Sequence, residues 1–323
     1  MKARSRILLF AIGITAMCCS CGGGSTMPGG GTTGTGGGGG GSGGNAGIPQ
    51  FAHVFLLVEE NHSYGEVVGN SNMPYFNSLA SKYGLATQYF ADAHPSLPNY
   101  FTLTVGEGTS ITGTLGDAYP GPVTLDNIVR ALTAAGKTWK CYAEALPQIG
   151  YLGPDTGAYV RRHNPFAYLS DVINSPTQAG NVVPFAQLAS DTSDGSLPDY
   201  SFIAPDLSDD AHDCPSGLST CTDTQKLANA DLWLKNNIDP LIHGSAFQNS
   251  LLIITFDEGD AGDSAHGGGQ VATLVISPKA KAGYQSTTLY QHESTFRLTL
   301  KALGVADLPA ASASAPDMGE FFQ

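Results

Sequence analysis

Two short apolar runs, each ending in adjacent acids, constrain this chain more than any other feature. HVFLLV (53–58) runs into Glu59, Glu60 and Asn61, and SLLIITF (250–256) runs into Asp257 and Glu258. A strand with almost no polar face is covered on both sides, as in a parallel sheet flanked by helices. TWKCYA (138–143), YSFIAP (200–205) and VATLVIS (271–277) are further strand candidates. Helical patterns fall between them: MPYFNSLASKYG (73–84), LDNIVRALTAAG (125–136), DTQKLANADLWLKNNIDPLI (223–242) and ESTFRLTLKALG (293–304). This alternation predicts an α/β three-layer sandwich around a mostly parallel central sheet. Ligands of such sheets bind beyond the carboxyl ends of the strands, which is where the polar clusters at 59–62 and 257–260 lie. Strand alternation points Glu59 away from Glu60 and gives it a structural role.

Outside the alternating region the chain changes character. Lys2, Arg4 and Arg6 precede an apolar run of 11 residues, Ile7 to Met17, which is too short to span a bilayer and reads as an export signal. Cys18, Cys19 and Cys21 follow at once, with Cys21 the best acylation candidate. Two fates are open: a lipid-anchored protein of the cell envelope, or cleavage and release to the periplasm or medium. Residues 22–47 hold 16 glycines and have little to bury, so they form a flexible spacer. The expected organisation is an export signal at 1–21, a Gly-rich linker at 22–48 and one folded domain at 49–323.

Charge narrows the partners. Without the three cations of the signal, 12 Lys and Arg face 28 acids, a net of −16. Such a surface repels nucleic acid and anionic membranes, so no nucleic-acid partner is expected and membrane contact is confined to an N-terminal lipid anchor. An anionic substrate then needs another source of positive charge, and a bound metal is the obvious one. Cys214 and Cys221, in DCPSGLSTC (213–221), favour a local disulfide in an exported protein. Cys141 is left over, and its pairing with either of the others is the open alternative.

Four segments carry chemistry: Glu60-Asn61, HPSLPNYFTLTVG (94–106), APDLSDDAHDC (204–214) and ITFDEGDAGDSAHGGGQVATLVISP (254–278). Taken singly, the acidic stretches are ordinary turns and Ser96 is an ordinary helix N-cap with Pro98 in the first turn. Taken together, two distant strand ends carry adjacent metal-capable oxygens. A hydroxyl also sits at a helix start, where an anion docks.

ENHSY (60–64), HPSLPNY (94–100), RRHNPF (161–166), LPDYSFIAPDLSDDAHD (197–213), ITFDEGD (254–260) and YQHESTFRLTLKALG (290–304) occur in one order and spacing over 50–303. In this the chain resembles the bacterial phosphoesterase family of acid phosphatases and phospholipases C, within the alkaline phosphatase-like superfamily. The resemblance implies a phosphoric ester hydrolase with a metal-assisted covalent mechanism. It matches Glu60, Asn61 and Asp257 to metal ligands, with Glu258 the adjacent candidate, and Ser96 to the nucleophile. It makes Asp210, His212 and His266 a second metal cluster. Asn99, one turn after Ser96, is expected to offer its amide to a phosphoryl oxygen. Arg162 and His163 are the expected substrate-binding residues.

One position departs from the pattern: Gln270 stands where many relatives carry a His before VATLVIS, and His266 lies four residues earlier. Either His266 substitutes or the second site is weakened. Oxygen donors favour Mg, Mn or Ca, and imidazoles tilt a site toward Zn or Fe, with one or two ions expected. The reading that results is an exported phosphomonoesterase of acid phosphatase type acting on a small phosphate ester. A phospholipase C-like phosphodiesterase is the alternative within the family, less favoured because the chain is short and shows no lipid-binding domain. A non-catalytic surface lipoprotein is the alternative of another class.

Overall fold

The computed structural model describes residues 47–323. The expected export signal, and all but the end of the expected linker, lie outside these residues. Eight strands form one sheet: β1 (His53–Glu59), β2 (Gly84–Ala86), β3 (Trp139–Ala143), β4 (Val182–Pro184), β5 (Tyr200–Ala204), β6 (Ser250–Phe256), β7 (Thr273–Ile276) and β8 (Gln285–Ser286). Their spatial order is β4-β3-β5-β1-β6-β7-β2-β8. Pairing is parallel from β4 through β6, and β7 runs antiparallel between β6 and β2. The sheet is therefore mostly parallel, as its apolar runs predict. All seven residues of β6, and all of β1 except His53, are buried.

Six longer helices cover the sheet: α1 (Pro74–Lys82), α2 (Ser96–Val105), α3 (Ile128–Ala134), α4 (Gln187–Asp194), α5 (Asp223–His243) and α6 (His292–Ala302). α1 packs on α5, and α2 packs on α6. Aromatic contacts assign the faces. Phe55 of β1 meets Phe247, just after α5, with ring centroids 6.4 Å apart. Phe202 of β5 meets Tyr100 of α2 at 6.1 Å. Phe202 is the partner in register of Leu56, and Leu56 points opposite to Phe55. The α5 side and the α2 side are thus the two faces of the sheet. Continued one step past the strand, this alternation sends Glu59 toward α5 and Glu60 toward α2.

Local chemistry sets the element ends. Thr222 and Gln225 form a capping box at the start of α5, each side chain meeting the other's backbone N–H. Gly106 ends α2 in the left-handed conformation, with φ of 86°. A Cβ there would lie 2.7 Å from the Pro309 carbonyl oxygen, so only glycine fits. Cys214 and Cys221 are disulfide-bonded in the loop before α5. Cys141 is a free buried thiol in β3 that donates to Asn164 Oδ1 at 3.6 Å, which closes the alternative pairing.

Candidate active site

The parallel register from His53↔Ser250 to Glu59↔Phe256 brings the ends of β1 and β6 side by side. The pairing runs one step further, with the Asp257 N–H donating to the Glu59 carbonyl at 2.9 Å. The β5 loop is tied in by the Glu60 N–H, which donates to the Asp210 carbonyl at 2.8 Å. Glu60, Asn61, Asp257, Glu258 and Asp210 are thereby gathered from three strand ends. Asn61 adopts φ of 49°, a left-handed geometry that Asn tolerates better than most residues. In that conformation its N–H donates to Asp257 Oδ1 at 3.0 Å and its side-chain amide to Glu258 Oε1 at 3.1 Å. The Glu258 N–H also donates to Asp257 Oδ1, at 2.6 Å.

Ser96 is the first residue of α2 and points its hydroxyl into this cluster, donating to Glu60 Oε2 at 3.1 Å. The alternative reading of Ser96 as the helix N-cap does not hold: Pro95 occupies that position. The Leu97 N–H is taken by Asp117 Oδ1 at 2.9 Å.

The acids crowd one another. Burial, then the charges of Asp257 and Asp210, push the Glu60 carboxyl well above its usual range. Burial also raises Asp210, and raises Asp257 to about 6 against the N–H and O–H groups that stabilise its charge. Burial and the Asp257 charge raise Glu258 to about 9. Three buried oxygens here lack any hydrogen-bond partner: Asn61 Oδ1, Asp210 Oδ2 and Asp257 Oδ2. Mutually repelling acids with orphaned oxygens are the surroundings a divalent cation neutralises. The donors are carboxylate, amide and hydroxyl oxygens, a set that fits a hard ion.

Not every expected residue joins the cluster. His212 and His266 do not meet Asp210 as a second metal cluster. The Asp210 carboxylate instead accepts the backbone N–H of His212 at 2.9 Å, and the His266 ring packs on Phe90, with centroids 4.2 Å apart. The His212 ring turns to a cleft of about 140 Å³ shared with Asn61, His62, Glu66 and Lys226. The Gln270 side-chain amide donates to the Thr87 carbonyl at 2.8 Å and so ties its loop to that strand end.

Asn99 also differs from its expected role. It is fully buried, accepts from the N–H groups of Asp92 and Ala93 at 3.0 and 3.1 Å, and donates to the Ala93 carbonyl at 2.8 Å. It therefore shapes the 92–95 turn that delivers Ser96, and its amide is not free for a phosphoryl oxygen. His163, expected to bind substrate, is buried behind Glu60. Its Nε2 lies 3.2 Å from Glu60 Oε1, outside hydrogen-bonding geometry, and its ring stacks on Tyr100 at 5.4 Å. Arg162 stays partly exposed, 3.8 Å from Asp117 and 3.9 Å from Asp155, and commits to neither.

Three residues were not anticipated. Tyr100, one turn after Ser96, donates its hydroxyl to Glu60 Oε1. His94 Nδ1 lies 3.0 Å from Glu258 Oε2, and His292 Nε2 lies 2.6 Å from the Asp257 carbonyl. Tyr100 and His94 flank Ser96 in the sequence, so their spacing was a usable signal. His292 stands in the YQHESTF stretch already singled out, but nothing local pointed it at the Asp257 carbonyl.

The fold is like that of alkaline phosphatase superfamily members. A phosphonate monoester hydrolase from Silicibacter pomeroyi superposes with a TM-score of 0.57 over 84% of this chain and 76% of that one, at 12% identity. A Vibrio parahaemolyticus protein of the alkaline phosphatase superfamily gives 0.54 over 85% and 69%, at 13% identity. These likenesses concern the fold alone. Sequence is more particular: the Phosphoesterase family model matches residues 70–306, and the chain belongs to that family. It is a hydrolase acting on phosphoric esters. It is 32% identical over 244 residues to a phosphatidylinositol-3-phosphatase of Mycobacterium tuberculosis, covering 76% of this chain and 74% of that protein. To a probable acid phosphatase of Kluyveromyces lactis it is 27% identical over 252 residues, covering 76% of this chain but only 56% of the relative.

Proposed function

We propose that this protein is an exported, divalent-metal-dependent phosphomonoesterase of acid phosphatase type, with Ser96 as its nucleophile. The observation that carries the reading is the Ser96 hydroxyl at the start of a ten-residue helix, 3.1 Å from Glu60 and beside the unpartnered oxygens of Asn61 and Asp257. Glu60, Asn61 and Asp257 would hold the cation, with Asp210 and Glu258 beside them. A bound cation lowers the pKa of a neighbouring hydroxyl and offsets charge on phosphoryl oxygens.

The chain's own residues do the rest. Glu60 orients the Ser96 hydroxyl, and Tyr100, with the His163 ring stacked on it, holds Glu60 in place. The helix N-terminus and Arg162 draw the phosphoryl group to Ser96. Attack forms the Ser96–phosphorus bond as the bond to the leaving alcohol breaks, and water then releases phosphate from Ser96. The relatives named as phosphatases support monoesters over the phospholipase C-like alternative. The domain at 49–323 is the catalytic unit, and the signal at 1–21 with its linker exports it, through Cys21 lipidation or simple cleavage.

The test uses protein stripped of metal and assayed on p-nitrophenyl phosphate, bis-p-nitrophenyl phosphate and phosphatidylinositol 3-phosphate, with each divalent ion added back. Restored monoester turnover, at least about tenfold above the diester, is expected. Full activity without added ion counts against metal dependence, and faster diester cleavage counts against the monoesterase reading.

A further inference from the structure

α2 begins at Ser96, and the first turn of a helix leaves N–H groups without intrahelical partners. Pro98 has no N–H, so Ser96 and Leu97 hold the donors of the first three positions. The Leu97 N–H is not free. Asp117 Oδ1 accepts it at 2.9 Å, from 20 residues further along the chain. The other oxygen of the same carboxylate, Asp117 Oδ2, lies 3.8 Å from Arg162 Nε. One carboxylate therefore stands between the two groups that draw a phosphoryl group to Ser96. A phosphoryl oxygen and a carboxylate oxygen make the same demand, an N–H donor with a cation nearby.

The surroundings place Asp117 without burying it. Gly116 has φ of 50°, and a Cβ there would lie 2.8 Å from the Pro95 ring, so the chain at 116 lies directly against the residue before Ser96. The turns at Gly113–Ala118 and Arg161–His163 both pack on α2. The Asp117 side chain is 36% exposed and that of Arg162 is 28% exposed, so water can receive the carboxylate when it is displaced. Arg162 is also 3.9 Å from Asp155, and it closes on neither acid.

We propose that the Asp117 carboxylate is a stand-in for the phosphoryl group and sets how tightly the site holds phosphate. In the free enzyme it accepts the Leu97 N–H. An incoming monoester displaces it from that donor and from the side of Arg162. Asp117 returns as inorganic phosphate leaves, so the donor is not left unpaired and product does not linger. The carboxylate lowers phosphate affinity twice, because it must be moved aside and because its charge repels the ligand. This inference rests on the phosphoryl site proposed at the start of α2. An acid at a helix start also stabilises the helix, and that role alone predicts a lower melting temperature in its absence with no gain in phosphate binding.

The test measures binding of inorganic phosphate by calorimetry to the full chain, with the divalent ion that restores turnover present. A Ser96→Ala background is used, so that no turnover is needed. Ser96→Ala is compared with Ser96→Ala/Asp117→Asn and Ser96→Ala/Asp117→Ala. Freeing a donor for a charged ligand corresponds to about tenfold or more in Kd, so phosphate should bind about tenfold tighter once Asp117 is Ala. The Asn variant should gain less, because its amide oxygen still accepts from Leu97. With Ser96 intact, Asp117→Ala should lower the KM for p-nitrophenyl phosphate and the inhibition constant of phosphate by a similar factor, without a matching rise in kcat. Phosphate binding that is unchanged or weaker in the folded Asp117 variants overturns the proposal. If the Ala variant does not fold, the Asn variant decides alone by the same criterion. The two readings fail separately: near-normal turnover of Ser96→Ala removes the nucleophile, while phosphate affinity in that background still reports on Asp117.

Discussion

At the scale of single residues, the site depends on how Glu60 is held. One carboxylate oxygen takes the Tyr100 hydroxyl and the other takes Ser96, with His163 stacked behind Tyr100. Removing an outer partner of a metal ligand loosens the ion without deleting the ligand. Tyr100→Phe should therefore raise the metal concentration needed for half-maximal activity by about 10–100-fold while turnover at saturating metal changes less. An unchanged metal requirement, measured by titrating ion into stripped enzyme, would remove Tyr100 from the site. That Glu60, Asn61, Ser96 and Asp257 come together was legible in the sequence, because two strand ends and a helix start mark where a ligand can sit. Asn99 and His163 were misread for one reason: a polar residue near a site can as well build the backbone turn or pack behind a ligand. Only its hydrogen bonds and burial tell these apart. The Asp210, His212 and His266 grouping failed because loop spacing does not specify which way an imidazole turns.

At the scale of elements, α4 is anchored to β3 by one buried carboxylate. Asp191 accepts from Lys140 Nζ at 2.5 Å, the Tyr142 hydroxyl at 2.6 Å and the Gln187 amide at 3.1 Å. Burial raises its pKa, but these hydrogen bonds outweigh burial and hold it below the usual carboxylate range. A group depressed on folding contributes stability that is present above its unfolded value, about pH 4, and lost as pH falls through the folded value. Asp191→Asn should cost about 1.5–3 kcal/mol near neutral pH, and the gap from wild type should narrow below about pH 4. Chemical denaturation at a series of pH values reads both effects, and an equal gap at every pH would contradict them. Neither α4 nor the strands β2, β4 and β8 was legible. The strands are two or three residues long and give no period to detect, and QLASDTSDG is polar enough to pass for loop. The long apolar runs of β1 and β6 and the helical pattern of α5 were legible because burial on both faces and a helical period leave marks in sequence.

At the scale of the whole molecule, the two faces of one sheet end differ in chemistry. The α2 side presents the Ser96 hydroxyl among oxygens that lack partners, and the α5 side presents the three acids Glu144, Asp206 and Asp209. Residues 49–323 carry a formal net charge of −16, so a phosphate ester can be handled only where positive charge is concentrated at the reacting group. The register of β1 on β6 sets that place, and α2 delivers Ser96 to it. The claim on which this rests is that Ser96 becomes phosphorylated in each turnover. The direct measurement is mass spectrometry of enzyme quenched in acid during steady hydrolysis of a phosphate monoester. Phosphate on Ser96 is predicted, together with a loss of several orders of magnitude in turnover for a folded Ser96→Ala protein. Near-normal turnover of Ser96→Ala, or phosphate trapped on another residue while Ser96 stays unmodified, would contradict it.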